Sequence, residues 1–90
     1  MSTRPETTEA PGADTMSHIA ALFSRVLHVA DVREDDDFFS LGGSSLSAIE
    51  LLDAIAVELD VVLPVGDFYR NTSVTALARA VDARREGPVA

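Results

Sequence analysis

The chain has 90 residues, of which 47 % are apolar, so it is sized for one domain with a real but marginal core. Its formal net charge of −8 argues against nucleic acid and anionic membranes as partners, because phosphate binding needs clustered positive charge. The absence of cysteine excludes disulfides and thiol chemistry from the chain's own side chains, and no apolar run is long enough to span a bilayer.

Residues 1–14 are rich in Thr, Glu, Pro and Ala and read as a disordered tail. They lack the basic start and apolar block of a signal peptide, so a cytoplasmic location is expected. A folded domain is expected over 15–86, with 87–90 fraying. The first helix should run over 16–29, where Ile19, Leu22, Phe23, Val26 and Leu27 form one apolar stripe. Asp14 and Thr15 are its candidate caps. A long connection follows over 30–43, holding the acidic run from Glu34 to Asp37 and then Phe38, Phe39 and Leu41. A loop of that length must be pinned to the core or be functional, and these three apolar residues are the expected pins.

A second helix is predicted over 45–59, with Ser44 or Ser45 as its cap. Leu51, Leu52, Ile55 and Leu59 fall on one side of it, with Ala48 nearby, whereas Leu46, Ile49 and Asp53 fall on another face beside Ser45. The segment 61–64 has strand propensity but no second strand to pair with, and is expected as an extended, buried linker. Residues 66–70 should form a short helical turn that docks Phe68 and Tyr69. Ser73 should cap a last helix over 74–85, with Val74, Leu77, Ala78 and Val81 facing inward. The expected fold is therefore all-α, a small bundle of three main helices and one short one.

Catalysis by the chain itself finds little support. A nucleophilic serine needs a base and an orienter, and His18 and His28 show no acid partner at a telling spacing. The nucleophile-elbow pattern wants glycine two residues after the serine, where Ser47 stands. The acidic run lacks the alternating ligands and central glycine of a calcium loop, so no metal site is expected. Attention falls instead on Leu41-Gly42-Gly43-Ser44-Ser45-Leu46, where a hydroxyl sits on the first turn of a helix behind a nearly bare backbone. Free N–H groups and the positive end of the helix dipole would stabilise a phosphate ester there. Spacing alone leaves two readings open for Ser45, an N-capping serine after a glycine turn and a site of modification.

The stretch Asp37-Phe38-Phe39-Ser40-Leu41-Gly42-Gly43-Ser44-Ser45-Leu46 resembles the signature of peptidyl carrier proteins, the thiolation domains of nonribosomal peptide synthetases. Leu63-Pro64 with Phe68-Tyr69, and Asn71-Thr72-Ser73-Val74, resemble that family's downstream pattern, so the likeness covers about residues 19–81. It implies an acyl-carrier-like four-helix bundle that is not itself an enzyme. It also implies 4'-phosphopantetheine, taken from coenzyme A, on Ser45, with Gly43 and Ser44 beside it. The partners implied are a phosphopantetheinyl transferase, an adenylation enzyme, and condensation or tailoring enzymes, met by a monomeric carrier. Ser44 stands where fatty-acid and polyketide carriers have aspartate, which favours the peptidyl class. Thr72 stands where the family often has proline, which should leave the start of the last helix less rigid. The Met start, the polar tail and the single module resemble a free-standing carrier.

Leu46, Ile49 and Asp53, with Phe68 and Tyr69 as neighbours, are the expected contact patch for partner enzymes, provided that Leu46 and Ile49 do not complete the core. Two other functions compete with the peptidyl carrier. One is an acyl carrier for polyketide or fatty acyl chains, and the other is an unmodified helical adaptor.

Overall fold

A computed structural model describes residues 12–85, which form four helices: α1 Ala13–Leu27, α2 Ser45–Leu59, α3 Val65–Tyr69 and α4 Val74–Arg85. Helix α1 follows its apolar stripe and packs against both α2 and α4, with Ile19, Leu22 and Phe23 fully buried. Val26 and Leu27, from the same stripe, flank the core half-buried. The helix begins three residues ahead of the predicted start, and neither Asp14 nor Thr15 caps it. Gly12 is the N-cap residue, and the capping carboxylate comes from Asp82 on α4. Asp82 accepts from the Gly12 N–H at 2.9 Å and from the Thr15 hydroxyl at 2.7 Å. That cap lies 70 residues away in sequence, so no local pattern announces it. The helix ends at Leu27, with His28 in the left-handed region at φ 58°. Residues 1–11 of the expected tail, and the C-terminal residues 86–90, lie outside the described residues.

Helix α2 contributes Ala48, Leu51, Ile55 and Leu59 to the core, and α4 contributes Val74, Leu77, Ala78 and Val81. Leu52, expected inward, is half-buried at the margin. The linker after α2 alternates as extended chain does, with Val61 and Leu63 buried and Val62 turned out. Helix α3 starts at Val65, one residue ahead of the predicted turn. Its Asp67 takes ion pairs from Arg70 at 2.8 Å and from Arg84 of α4 at 3.2 Å. Ser73 caps α4 as expected, accepting from the Ala76 N–H at 3.1 Å. Among the described residues no helix is long and apolar enough to cross a membrane.

The long 28–44 connection is held by more than its apolar pins. Phe38 is fully buried, while Phe39 and Leu41 are half-buried. In addition the backbone is stitched to the start of α4. Asp37 and Ser73 form an antiparallel bridge. The Phe38 N–H donates to Thr72 O at 2.8 Å, Val74 N–H to Asp36 O at 3.2 Å and Thr75 N–H to Glu34 O at 3.0 Å. Thr72, standing where a proline was expected to be usual, adds a side-chain link, because its hydroxyl donates to the Asp37 carboxylate. That hydrogen bond ties the start of α4 to the serine loop, where a proline ring would instead have fixed the local φ.

Candidate functional site at the start of helix α2

All of the chain's aromatic residues, four Phe and one Tyr, gather in one cluster beneath the turn that leads into α2. The Phe38 ring sits edge-on to Phe23 at 5.2 Å, to Phe39 at 5.4 Å and to Phe68 at 5.4 Å. Phe39 in turn stacks on Tyr69, with centroids 5.6 Å apart and planes 8° from parallel. Edge-to-face and offset pairs of this kind contribute about 0.5–1.5 kcal/mol each beyond their buried area. They fix the residues from which the serine turn springs.

The turn itself is wound around Asp37. One carboxylate oxygen accepts from the Phe39 N–H at 2.9 Å and the Ser40 N–H at 3.0 Å, and the other accepts from the Thr72 hydroxyl. The Thr72 bond, helped by these N–H groups and opposed by partial burial, holds the Asp37 carboxyl below its ordinary range. Backbone bonds continue the winding, with Leu41 N–H to Asp37 O, Gly42 N–H to Phe39 O and Gly43 N–H to Phe38 O, all between 3.0 and 3.1 Å. Both glycines are required here. Gly42 has φ +106°, which L side chains rarely adopt, and a Cβ on Gly43 would lie 2.4 Å from Phe38 ring carbons and 2.8 Å from the Phe38 carbonyl oxygen.

Beyond the glycines, Ser44 is the N-cap of α2 and Ser45 is the first helical residue. Ser44 and Ser47 form a reciprocal capping box, with Ser44 N–H donating to Ser47 Oγ at 2.7 Å and Ser47 N–H to Ser44 Oγ at 3.2 Å. Capping therefore occupies Ser44 and leaves Ser45 exposed, its hydroxyl forming no hydrogen bond among the described residues. Of the two readings that spacing left open, the capping role belongs to the neighbour. The first turn of α2 carries no acidic side chain. Its dipole is thus uncompensated, and the N–H groups of Ser45 and Leu46 precede the helical ladder. Those features suit a phosphate ester at the Ser45 oxygen. Of the candidate bases, His18 is bonded at 2.8 Å to Glu58, which lies about 20 Å along α2 from Ser45 at 1.5 Å per residue.

Leu46 and Ile49 do not complete the core; they are 68 % and 54 % exposed beside Ser45, and Asp53 is exposed one turn further on. Tyr69 is half-exposed at 48 %. Phe68 does not share this face. It is fully buried, edge-on to Phe38 and Tyr69, because α3 turns its single large inward position onto the aromatic cluster. Sequence reasoning missed Val57, which is 82 % exposed and lies one turn beyond Asp53 on the same stripe. Extending the Leu46, Ile49, Asp53 series by four residues would have found it. It also missed the Asp37–Thr72 contact, for which a 35-residue separation leaves no local signal.

The sequence pattern of the phosphopantetheine attachment site matches residues 17–81. Surfactin synthase subunit 1 of Bacillus subtilis (strain 168) is 37 % identical over 75 residues, covering 83 % of this chain and 2 % of that protein. The isonitrile lipopeptide synthase of Mycobacterium tuberculosis (strain ATCC 25618 / H37Rv) is 38 % identical over 77 residues, covering 83 % of this chain and 3 % of that protein. The chain therefore spans only a few hundredths of the length of these relatives. Among solved structures, the peptidyl carrier protein bound to the phosphopantetheine transferase Sfp and coenzyme A superposes with a TM-score of 0.77 at 32 % identity, over 83 % of this chain and 97 % of that one. A prototype peptidyl carrier domain of modular peptide synthetases gives 0.71 at 32 % identity, over 82 % and 97 %. The chain belongs to the phosphopantetheine attachment site family, as a carrier domain of the peptidyl type.

Proposed function

We propose that Ser45 accepts 4'-phosphopantetheine and that the chain then presents aminoacyl or peptidyl groups for nonribosomal peptide synthesis. The observation that carries this reading is the exposed Ser45 hydroxyl at the first position of α2, released from capping by Ser44. In the transfer, a bond forms from Ser45 Oγ to the phosphorus next to pantetheine, and the pyrophosphate bond of coenzyme A breaks. Adenosine 3',5'-bisphosphate leaves, and the hydroxyl proton passes to a base of the transferase. The chain's own part is to hold the serine forward, offer the N–H groups of Ser45 and Leu46 to the phosphate, and keep nearby side chains out of the way through Gly42 and Gly43. The attached arm supplies a thiol, which the cysteine-free chain lacks, to carry the cargo as a thioester.

The partners proposed are a phosphopantetheinyl transferase, an adenylation enzyme, and condensation or tailoring enzymes, acting in the cytoplasm. Leu46, Ile49, Asp53 and Tyr69 are proposed as their common contact face, on the strength of apolar exposure beside the serine. Intact mass before and after treatment with coenzyme A, magnesium and a permissive transferase tests the reading. The wild type should gain one phosphopantetheine and Ser45→Ala none; a folded wild type that gains nothing would sink it. Ile49→Asp should then slow partner turnover without loss of helicity, and an unfolded Ile49→Asp would remove the basis for that face.

A further inference from the structure

We propose that Thr72 and Asp37 are positioning residues for the modification of Ser45, acting as a latch that fixes the direction in which the serine is presented. The inference rests on the reading of Ser45 as the modified residue and adds two residues that never touch the incoming group.

The latch is visible as a continuous chain of contacts. The Thr72 hydroxyl donates to one Asp37 carboxylate oxygen, and the N–H groups of Phe39 and Ser40 donate to the other. Backbone bonds on either side, Phe38 N–H to Thr72 O and Val74 N–H to Asp36 O, hold the same two strands of chain together. From Asp37 onward the turn is tied back onto its own start. Leu41, Gly42 and Gly43 each donate an N–H back to the residues from Asp37 to Phe39. Gly43 lies so close to the Phe38 ring that a Cβ would not fit. Ser44 follows as N-cap, and Ser45 as the first helical residue. A change at Thr72 therefore reaches Ser45 through the Asp37 carboxylate and the turn wound on it, without crossing the core.

The alternative is a contact that only adds stability. The two differ in what they predict for a folded protein. Phe38 is held by three edge-on ring contacts that do not depend on Thr72. Loss of the hydroxyl should thus leave the core closed while freeing the Asp37 carboxylate and the turn that it organises. Group transfer is sensitive to small misplacements of the attacking oxygen, so the loss should fall on the chemical step.

The test is the steady-state rate of phosphopantetheine transfer onto the full chain, using coenzyme A and one permissive transferase. Wild type, Thr72→Val, Thr72→Ser and Asp37→Asn are compared at a temperature where far-UV circular dichroism shows each to be folded. Thr72→Val should lower kcat by about tenfold with KM for the carrier little changed, because Leu46 and Ile49 are untouched. Thr72→Ser, which restores the hydroxyl, should recover the wild-type rate. Asp37→Asn keeps an acceptor oxygen, loses the charge and should fall between; it also serves if Thr72→Val does not fold. Thr72→Val or Asp37→Asn modified at the wild-type kcat would overturn the latch, as would failure of Thr72→Ser to restore the rate. A wild type that gains no phosphopantetheine would overturn the Ser45 reading and the latch with it, which separates that failure from failure of the latch alone.

Discussion

Helix α2 is approached and left by two irregular segments, both pinned by buried apolar side chains, of which the first is also wound on itself by hydrogen bonds. The turn over 37–44 is stitched by hydrogen bonds: the Asp37 carboxylate gathers two N–H groups and the Thr72 hydroxyl, and three further N–H groups fold back onto the residues from Asp37 to Phe39. The linker over 60–64 turns away from α2 at Asp60, at φ 59°, and is held by side-chain burial at Val61 and Leu63. A segment anchored by apolar side chains fixes the spacing of the helices it joins and tolerates small rotations. Directional hydrogen bonds also fix orientation, and orientation is what a presented serine needs.

The largest blow to this contrast should come from Leu63→Ala. Emptying a buried position costs about 2–5 kcal/mol, so thermal unfolding should shift sharply downward. Whatever folded protein remains at low temperature should still accept phosphopantetheine at the wild-type rate, because only spacing is lost. A slowed transfer in that folded fraction would erase the distinction between the two segments.

Gly43→Ala should act the other way round. The added Cβ has no room against the Phe38 ring and carbonyl oxygen, and strain of this kind costs about 1–3 kcal/mol. Relief must move either Phe38 or the serine turn, so modification should fall even where helicity survives. Wild-type transfer by a stable Gly43→Ala protein would show that the turn is not fixed by that contact.

Asp82→Ala removes the carboxylate that caps α1 from α4. A loss of about 1 kcal/mol is expected, the usual scale for a lost cap, read as a lower urea midpoint with transfer unchanged. The acid limb sharpens the comparison further. The Asp37 carboxyl sits below its ordinary value of 3.8 in the folded chain, chiefly because of the Thr72 bond. Its contribution to stability is therefore complete above that value and fades as pH falls through the lower folded value. Urea midpoints followed down this limb should fall less steeply in Thr72→Val than in wild type; identical slopes would mean that the pair does not act through the carboxylate. The smallest effect belongs to Val62→Ser. Val62 is 79 % exposed, and an outward residue of an extended linker should change stability by no more than about 0.5 kcal/mol.

What the sequence determined by itself was whatever is encoded locally. Apolar spacing located α1, α2 and α4 and most of their buried residues, because a helix repeats every 3.6 residues and its inward face must be apolar. The Gly-Gly-Ser-Ser run, with its flanking aromatic and Leu-Pro patterns, pointed to the phosphopantetheine family and to Ser45. Tertiary structure alone decided the rest. Which serine caps α2 depended on the reciprocal bonds between Ser44 and Ser47. The start of α1 depended on Asp82, brought across from the far end of the chain. The direction of Phe68 depended on the aromatic cluster that had already claimed the space beneath the serine turn. The contact of Thr72 with Asp37, which no local pattern announces, was made only when the fold set its hydroxyl against that carboxylate. Helical periodicity is a property of neighbours along the chain, whereas caps, clusters and latches are made by residues that only the closed bundle brings together.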